Sequence, residues 1–350
     1  MITVKRRLLS GLESPTPSVD DVCAALQSAL ELEHATIPPY LYALYSLDAD
    51  KNGQIAEIIK SVVTEEMLHM TLVANVLNAL GGTPQLNHAG FVPAYPGPLP
   101  GGVESSLVVG LEAFSMAQLD TFLKIEEPET PIPFKAVLDA DAAITIGQFY
   151  RTIIGALALL PAGAFVHPPR NQVGAELFAE AVVVADLASA QRALGTIVEQ
   201  GEGTANSPEE GVGAGYAHYY RFMQIKKGKA LIPSAGSYAY AGTPIVFDPS
   251  GVYRMPSNPT PALYQDFPAQ RFAFDNFNYT YTSLLNALHA LFNGADTARQ
   301  FDVAIGLMMS LKLQAKVMAQ GVAYSTNPTG PSFQYQGTNP AQPQEEHARR

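Results

Sequence analysis

Residues Val22–Gly81 read VCAALQSALELEHATIPPYLYALYSLDADKNGQIAEIIKSVVTEEMLHMTLVANVLNALG, two long helical patterns joined by a short turn. In the first, Cys23, Leu26, Leu30, Ile37, Tyr40, Leu41 and Leu44 share one side, with Glu33 in its middle. In the second, Ile55, Ile59, Val62, Met70, Val73, Leu77 and Leu80 share a side that also carries Glu66 and His69. A carboxylate on a core-facing stripe is costly unless a cation or a hydrogen-bond partner meets it. Three such groups converging from antiparallel helices point to a metal held inside a bundle. The competing account is a bundle with satisfied polar groups, Glu66 paired to a buried arginine and His69 donating to a carbonyl. Glu31 projects almost opposite Glu33, and Glu65 sits off the stripe of Glu66.

Composition narrows the classes. Of 350 residues, 47% are apolar and only 15% charged, which suits a well-buried globular protein. A formal net charge of -11 argues against nucleic acid or an anionic membrane as partner, since both require a basic patch. The most apolar segment, 144–165, is interrupted by Gln148, Arg151 and Pro161 and is too broken to span a bilayer. The lone cysteine, Cys23, reads as a small buried hydrophobe, and the basic N-terminus lacks the apolar run of a secretory signal. A cytoplasmic protein acting on a small molecule is the expectation, with a homodimer as the candidate assembly.

Along the chain, Ser18 or Asp20 can cap the first helix, and Pro38-Pro39 predicts a kink or local break in it. Residues 85–102 are rich in Pro and Gly and form a candidate lid or pocket wall. Further helices are expected at 107–125, 142–160, 176–200 and 216–225, then at about 270–293 and 296–320. Gln148 falls on the inner side of the 142–160 pattern, and Glu126, Glu127 and Glu129 read most simply as a solvated acidic cluster, with a site within reach of Glu126 as the alternative. A short hairpin is expected near Ile245-Val246-Phe247. The domain expectation is a bundle at 18–228, a cover with two helices at 229–324 and a flexible tail at 325–350.

The candidate metal ligands are therefore Glu33, Glu66, His69, Glu199, Glu202 and His218. Oxygen and imidazole donors without thiolate suit iron, manganese or zinc, as one or two ions. Tyr40 and Tyr219 are candidates to line an aromatic pocket, and His218 a candidate base.

A glutamate on the first helix and Glu-x-x-His on the second resemble the ferritin-like superfamily. ELEHATIPPYLYALYSL, EEMLHMTLVANVLNALGG, IEEPE, VEQGEGT and AHYYRF resemble, more closely, the ferritin-like domain of iminophenylpyruvate dimer synthases. Those enzymes belong to pathways of the violacein and rebeccamycin type and couple two oxidised, tryptophan-derived imines. The resemblance implies an all-α fold, a ferritin-like up-down four-helix bundle with additional helices and long Pro/Gly-rich loops. It implies a metal-dependent oxidoreductase or coupling enzyme of specialised metabolism acting on an aromatic or amino-acid-derived substrate. Where that pattern expects a third-helix glutamate this chain offers Gln148, and where it expects a fourth-helix Glu-x-x-His it offers Glu199-x-x-Glu202. His218 could supply the missing imidazole. A non-catalytic binding or structural bundle and a metal-storage protein are the alternatives.

Overall fold

The structure, a computed structural model, describes residues 11–100, 107–128, 146–161, 163–202, 207–209, 215–234, 237–322 and 328–337. Helix α1 (Val19–Tyr45) begins at a capping box, in which Ser18 Oγ accepts from Asp21 N and Asp21 accepts from Ser18 N. Helix α2 (Ala49–Ala79) begins at Asp48, earlier than its apolar stripe suggests, and its first turns bend at Asn52 (φ -121°). Asn52 is buried and anchored to the backbone of Asp248 and Gly251, so the bend has a tertiary cause. The helix closes at Leu80, followed by Gly81 in the left-handed region (φ 84°).

Contrary to the expected break, α1 runs continuously through Pro38 and Pro39. Proline at 39 cannot donate to the carbonyl of Ala35. Tyr95 from the Pro/Gly-rich loop does so instead, its hydroxyl 2.7 Å from Ala35 O. That loop thus serves as a clamp on α1, with Phe91 packed 4.5 Å from the His34 ring. Tyr95→Phe is expected to orphan this carbonyl and lower stability by about 1–3 kcal/mol, measured by chemical denaturation. No loss would mean that the clamp contributes nothing.

Helices α4 (Ile146–Leu159) and α5 (Leu187–Glu202) pack against each other and on α1 and α2, completing a four-helix core. Two predicted helices are shorter than their apolar patterns. Residues 107–115 are extended, Val109 bridging Gly97, and only α3 (Met116–Ile125) is helical. Residues 175–186 are turns and irregular chain, not the first half of α5. Their backbone is held by side chains from elsewhere, Asn75 of α2 bonding the backbone of Val173 and Val182. Cys23 is half-buried rather than buried.

Helix α6 (His218–Lys227) ends at Gly228 (φ 67°) and leads into an antiparallel hairpin, β1 (Lys229–Ser234) with β2 (Ser237–Pro244). Ile245-Val246-Phe247 lie just beyond it rather than within it. Helices α7 (Pro268–Phe292) and α8 (Thr297–Gln320) then form an antiparallel pair beside the core. Tyr281 of α7 reaches His34 of α1 (2.6 Å). Residues 328–337, from the expected flexible tail, lie along α7 with Phe333 between Phe277 and Tyr281. The architecture is all-α, a four-helix core with extra helices, and no described helix is long and apolar enough to cross a membrane.

Candidate metal centre

Glu33 comes from the middle of α1, and Glu66 and His69 stand one helical turn apart on α2, all three almost wholly buried. Glu126 caps the C-terminal end of α3, and His218 is the first residue of α6. The five form two ligand triads that share Glu66: Glu33, Glu66 and His69, and Glu66, Glu126 and His218. Within each triad the ligand atoms lie no more than 4.8 Å apart. The two imidazoles stack at 5.4 Å.

The outer nitrogens of both histidines are tied down. His218 Nε2 lies 3.0 Å from Glu65 Oε2, and Glu65 is itself held by Arg221 Nη1 at 2.7 Å. His69 Nε2 lies 2.9 Å from Gln200 Oε1, whose amide nitrogen donates to Glu180 (3.2 Å). A carboxylate or an amide oxygen only accepts, so each Nε2 carries a proton, and each Nδ1 points inward, to hold a proton in the protein alone or to offer a lone pair to a bound cation. His69 Nδ1 then faces Glu33 Oε2 (3.2 Å) and Glu66 Oε2 (3.6 Å). His218 Nδ1 faces Glu66 Oε1 (3.2 Å) and Glu126 Oε2 (3.4 Å), and both His218 Nδ1 and Glu66 Oε2 are buried without a hydrogen-bond partner. Lone pairs and carboxylates directed at one another demand a positive charge between them.

In the protein alone, protons supply that charge. Burial pushes His69 down, but Glu33 and Glu66 outweigh it and hold the imidazole at about 10. Burial likewise opposes protonation of His218, and Glu126, Glu65 and Glu66 raise it well above the ordinary value. Burial raises the Glu33 carboxyl, with His69 pulling against it. Helix ends work against this protonic solution: Glu126 sits at the negative end of α3 and His218 at the positive end of α6. A bound cation would offset the charge of Glu126 and leave His218 neutral. The donor set of three carboxylates and two imidazoles therefore fits one or two divalent ions.

Two tyrosines buttress the carboxylates. Tyr150 of α4 donates to Glu33 Oε1, and Tyr40 donates to Glu126 Oε1 (2.5 Å) while its ring meets Phe122 and Phe222 edge-on. A small recess of about 40 Å³ reaches the ligands between apolar walls that include Leu32, Ile125, Ile146 and Ile197.

Other expected site residues lie elsewhere. Glu199 is half-buried and belongs to neither triad, while its neighbour Gln200 turns inward. The side chain of Glu202 and all of Glu129 lie outside the described residues. Tyr219 is half-buried against Tyr220 and does not line the recess. Gln148 is exposed and not on the inner face of α4, which is formed by Gly147, Tyr150, Ile153 and Leu157. Residues 85–100 clamp α1 rather than walling the recess. Glu126, Tyr150, Gln200 and the outer support from Glu65 are new from the structure. Their signals were the motifs IEEPE and VEQGEGT, which hold Glu126 and Gln200, and the acid pair Glu65-Glu66, since a second acid beside a buried ligand is placed to hold a neighbouring group.

The comparisons agree with this geometry. The ferritin-like family matches residues 26–227. Dichlorochromopyrrolate synthase of Lentzea aerocolonigenes is 24% identical over 263 residues, covering 61% of this chain and 25% of that protein. The 2-imino-3-(indol-3-yl)propanoate dimerase of Chromobacterium violaceum is 28% identical over 173 residues, covering 38% and 16%. The chain thus spans a quarter or less of the length of these relatives. A ferritin-like protein from Caulobacter vibrioides superimposes with a TM-score of 0.61 at 22% identity, covering 91% of this chain and 100% of that one. With this family match across the four core helices and α6, the chain belongs to the ferritin-like family.

Proposed function

We propose that the protein is a metal-dependent enzyme of specialised metabolism that couples or oxidises a small 2-imino acid with an aromatic side chain. The observation that carries the reading is the pair of buried triads sharing Glu66, with both Nδ1 atoms aimed inward. A purely structural bundle gains nothing from burying three carboxylates and two imidazoles together, since well-packed apolar residues do as well. The substrate class comes from the dimerase, whose name states that it acts on 2-imino-3-(indol-3-yl)propanoate.

Iron is the first choice of metal, with manganese or zinc compatible with the same donors. A bound ion would supply Lewis acidity or redox chemistry. The chain's own contribution is orientation and exclusion of water. Glu65 and Gln200 hold the imidazoles, and Tyr150 and Tyr40 hold Glu33 and Glu126. Apolar walls of Leu32, Ile125, Ile146 and Ile197 keep the local dielectric low around the ligands.

The test is to load the purified chain with Fe(II), Mn(II) or Zn(II), quantify metal by mass spectrometry, and supply indole or phenyl 2-imino acid generated in situ by an amino-acid oxidase. The expected result is a coupled or oxidised product that forms only with metal and chain together. Bound metal with an imine that decays at the rate seen in buffer would sink the proposed substrate. Absence of bound metal would sink the enzyme reading itself.

A further inference from the structure

Helix α8 leaves a long apolar stripe uncovered. Ile305, Met309, Leu313 and Val317 recur every four residues, and Met309 and Leu313 are 59% and 65% exposed. The stripe continues onto α7, where Phe272 and Tyr279 are 73% and 67% exposed and Asn276 between them bonds Gln314 of α8 (3.0 Å). Together these side chains present an apolar patch on the order of several hundred Å², a size that marks an interaction surface.

The charges along the stripe identify its occupant. Asp302, Met309 and Lys316 are exposed and spaced by one heptad, so they lie on nearly one line, drifting only about 20° per heptad. Asp302 stands seven residues before Met309, and Lys316 seven residues after it. An antiparallel copy of α8 crossing on a two-fold axis at Met309 therefore brings each Asp302 against the Lys316 of the other copy. The same operation sets Ile305 against Leu313 and places Gly306, around which a methyl group would meet nothing, under the stem of Lys312. A single stripe that is complementary to itself under a two-fold rotation is the mark of an isologous interface.

We infer that the protein is a homodimer closed by an antiparallel α8–α8 contact centred on Met309, with Phe272 and Tyr279 at its rim. The interface lies on the accessory helix pair, so it stands or falls independently of the metal chemistry proposed above.

Sedimentation velocity and light scattering on the full chain over about 1–100 µM are expected to give twice the 37.4 kDa chain mass. Met309→Glu, which sets two carboxylates on the axis, is expected to give a monomer that keeps the circular dichroism of the native chain. Asp302→Lys alone is expected to weaken the dimer by about tenfold or more, and the double variant Asp302→Lys/Lys316→Asp to restore it. With the only cysteine removed as Cys23→Ser, Met309→Cys should oxidise to a disulfide-linked dimer. A monomer across the whole range, or a dimer indifferent to these substitutions, would overturn the inference. So would a Met309→Glu chain that loses its native circular dichroism, since the stripe would then be covered by the chain's own residues.

Discussion

Glu66→Ala is expected to purify with almost no metal, its affinity reduced by well over 100-fold, while Glu199→Ala keeps the full complement. Glu66 is the one group common to both triads, so its removal leaves two separate pairs, Glu33 with His69 and Glu126 with His218. Two donors hold a divalent ion far less tightly than three or four, and even outer partners of a ligand are worth 10–100-fold in affinity. Metal analysis after purification in iron-supplemented medium, with circular dichroism to confirm folding, reads the effect. An unchanged metal content in Glu66→Ala would remove the centre from the molecule. The comparison with Glu199 is what makes the result specific, because both are acids within the same bundle.

Asn75→Leu is expected to be the most damaging substitution outside that centre. The Asn75 amide donates to Val173 O (2.8 Å) and Val182 O (2.9 Å), and its oxygen accepts from Val173 N (2.9 Å). Leucine matches its size but meets none of these groups, and each buried orphan costs about 1–3 kcal/mol. The expected loss is about 3–6 kcal/mol, a large part of the stability of an ordinary domain. Urea unfolding monitored by circular dichroism measures it. A loss below about 1 kcal/mol would mean that water or a rearranged loop replaces all three bonds. The segment held by Asn75 leads directly into α5, which carries Gln200 to His69, so the same substitution should loosen metal binding as well.

How much of this could be read beforehand depends on where each residue sits. Glu33, Glu66 and His69 lie in the middle of long helices, where a strict period says which side is buried, and a buried acid there has few explanations. Glu126 defeated the same logic. It sits at a helix end within an acidic run, where no period extends far enough to distinguish inward from outward. On α4 the apolar residues are spread so widely that Gln148 and Tyr150 compete for the inner face, and packing against α1 chose the tyrosine. On α5 a shift of one position turned Gln200 inward and Glu199 aside. The helices expected across 107–115 and 176–186 failed because apolar spacing there serves loops pinned by remote side chains such as Asn75 and Asn258.

The order of residues by itself determined that two long helices would carry acids and a histidine into their contact, since helical periodicity is local and survives without tertiary knowledge. It also carried the family, through short contiguous motifs. Which acid completed the second triad, which nitrogen of each imidazole faced inward and how α1 passed through two prolines were decided only in three dimensions. Each of those depends on a partner from a distant segment, Glu65, Gln200 or Tyr95, whose approach no local pattern records.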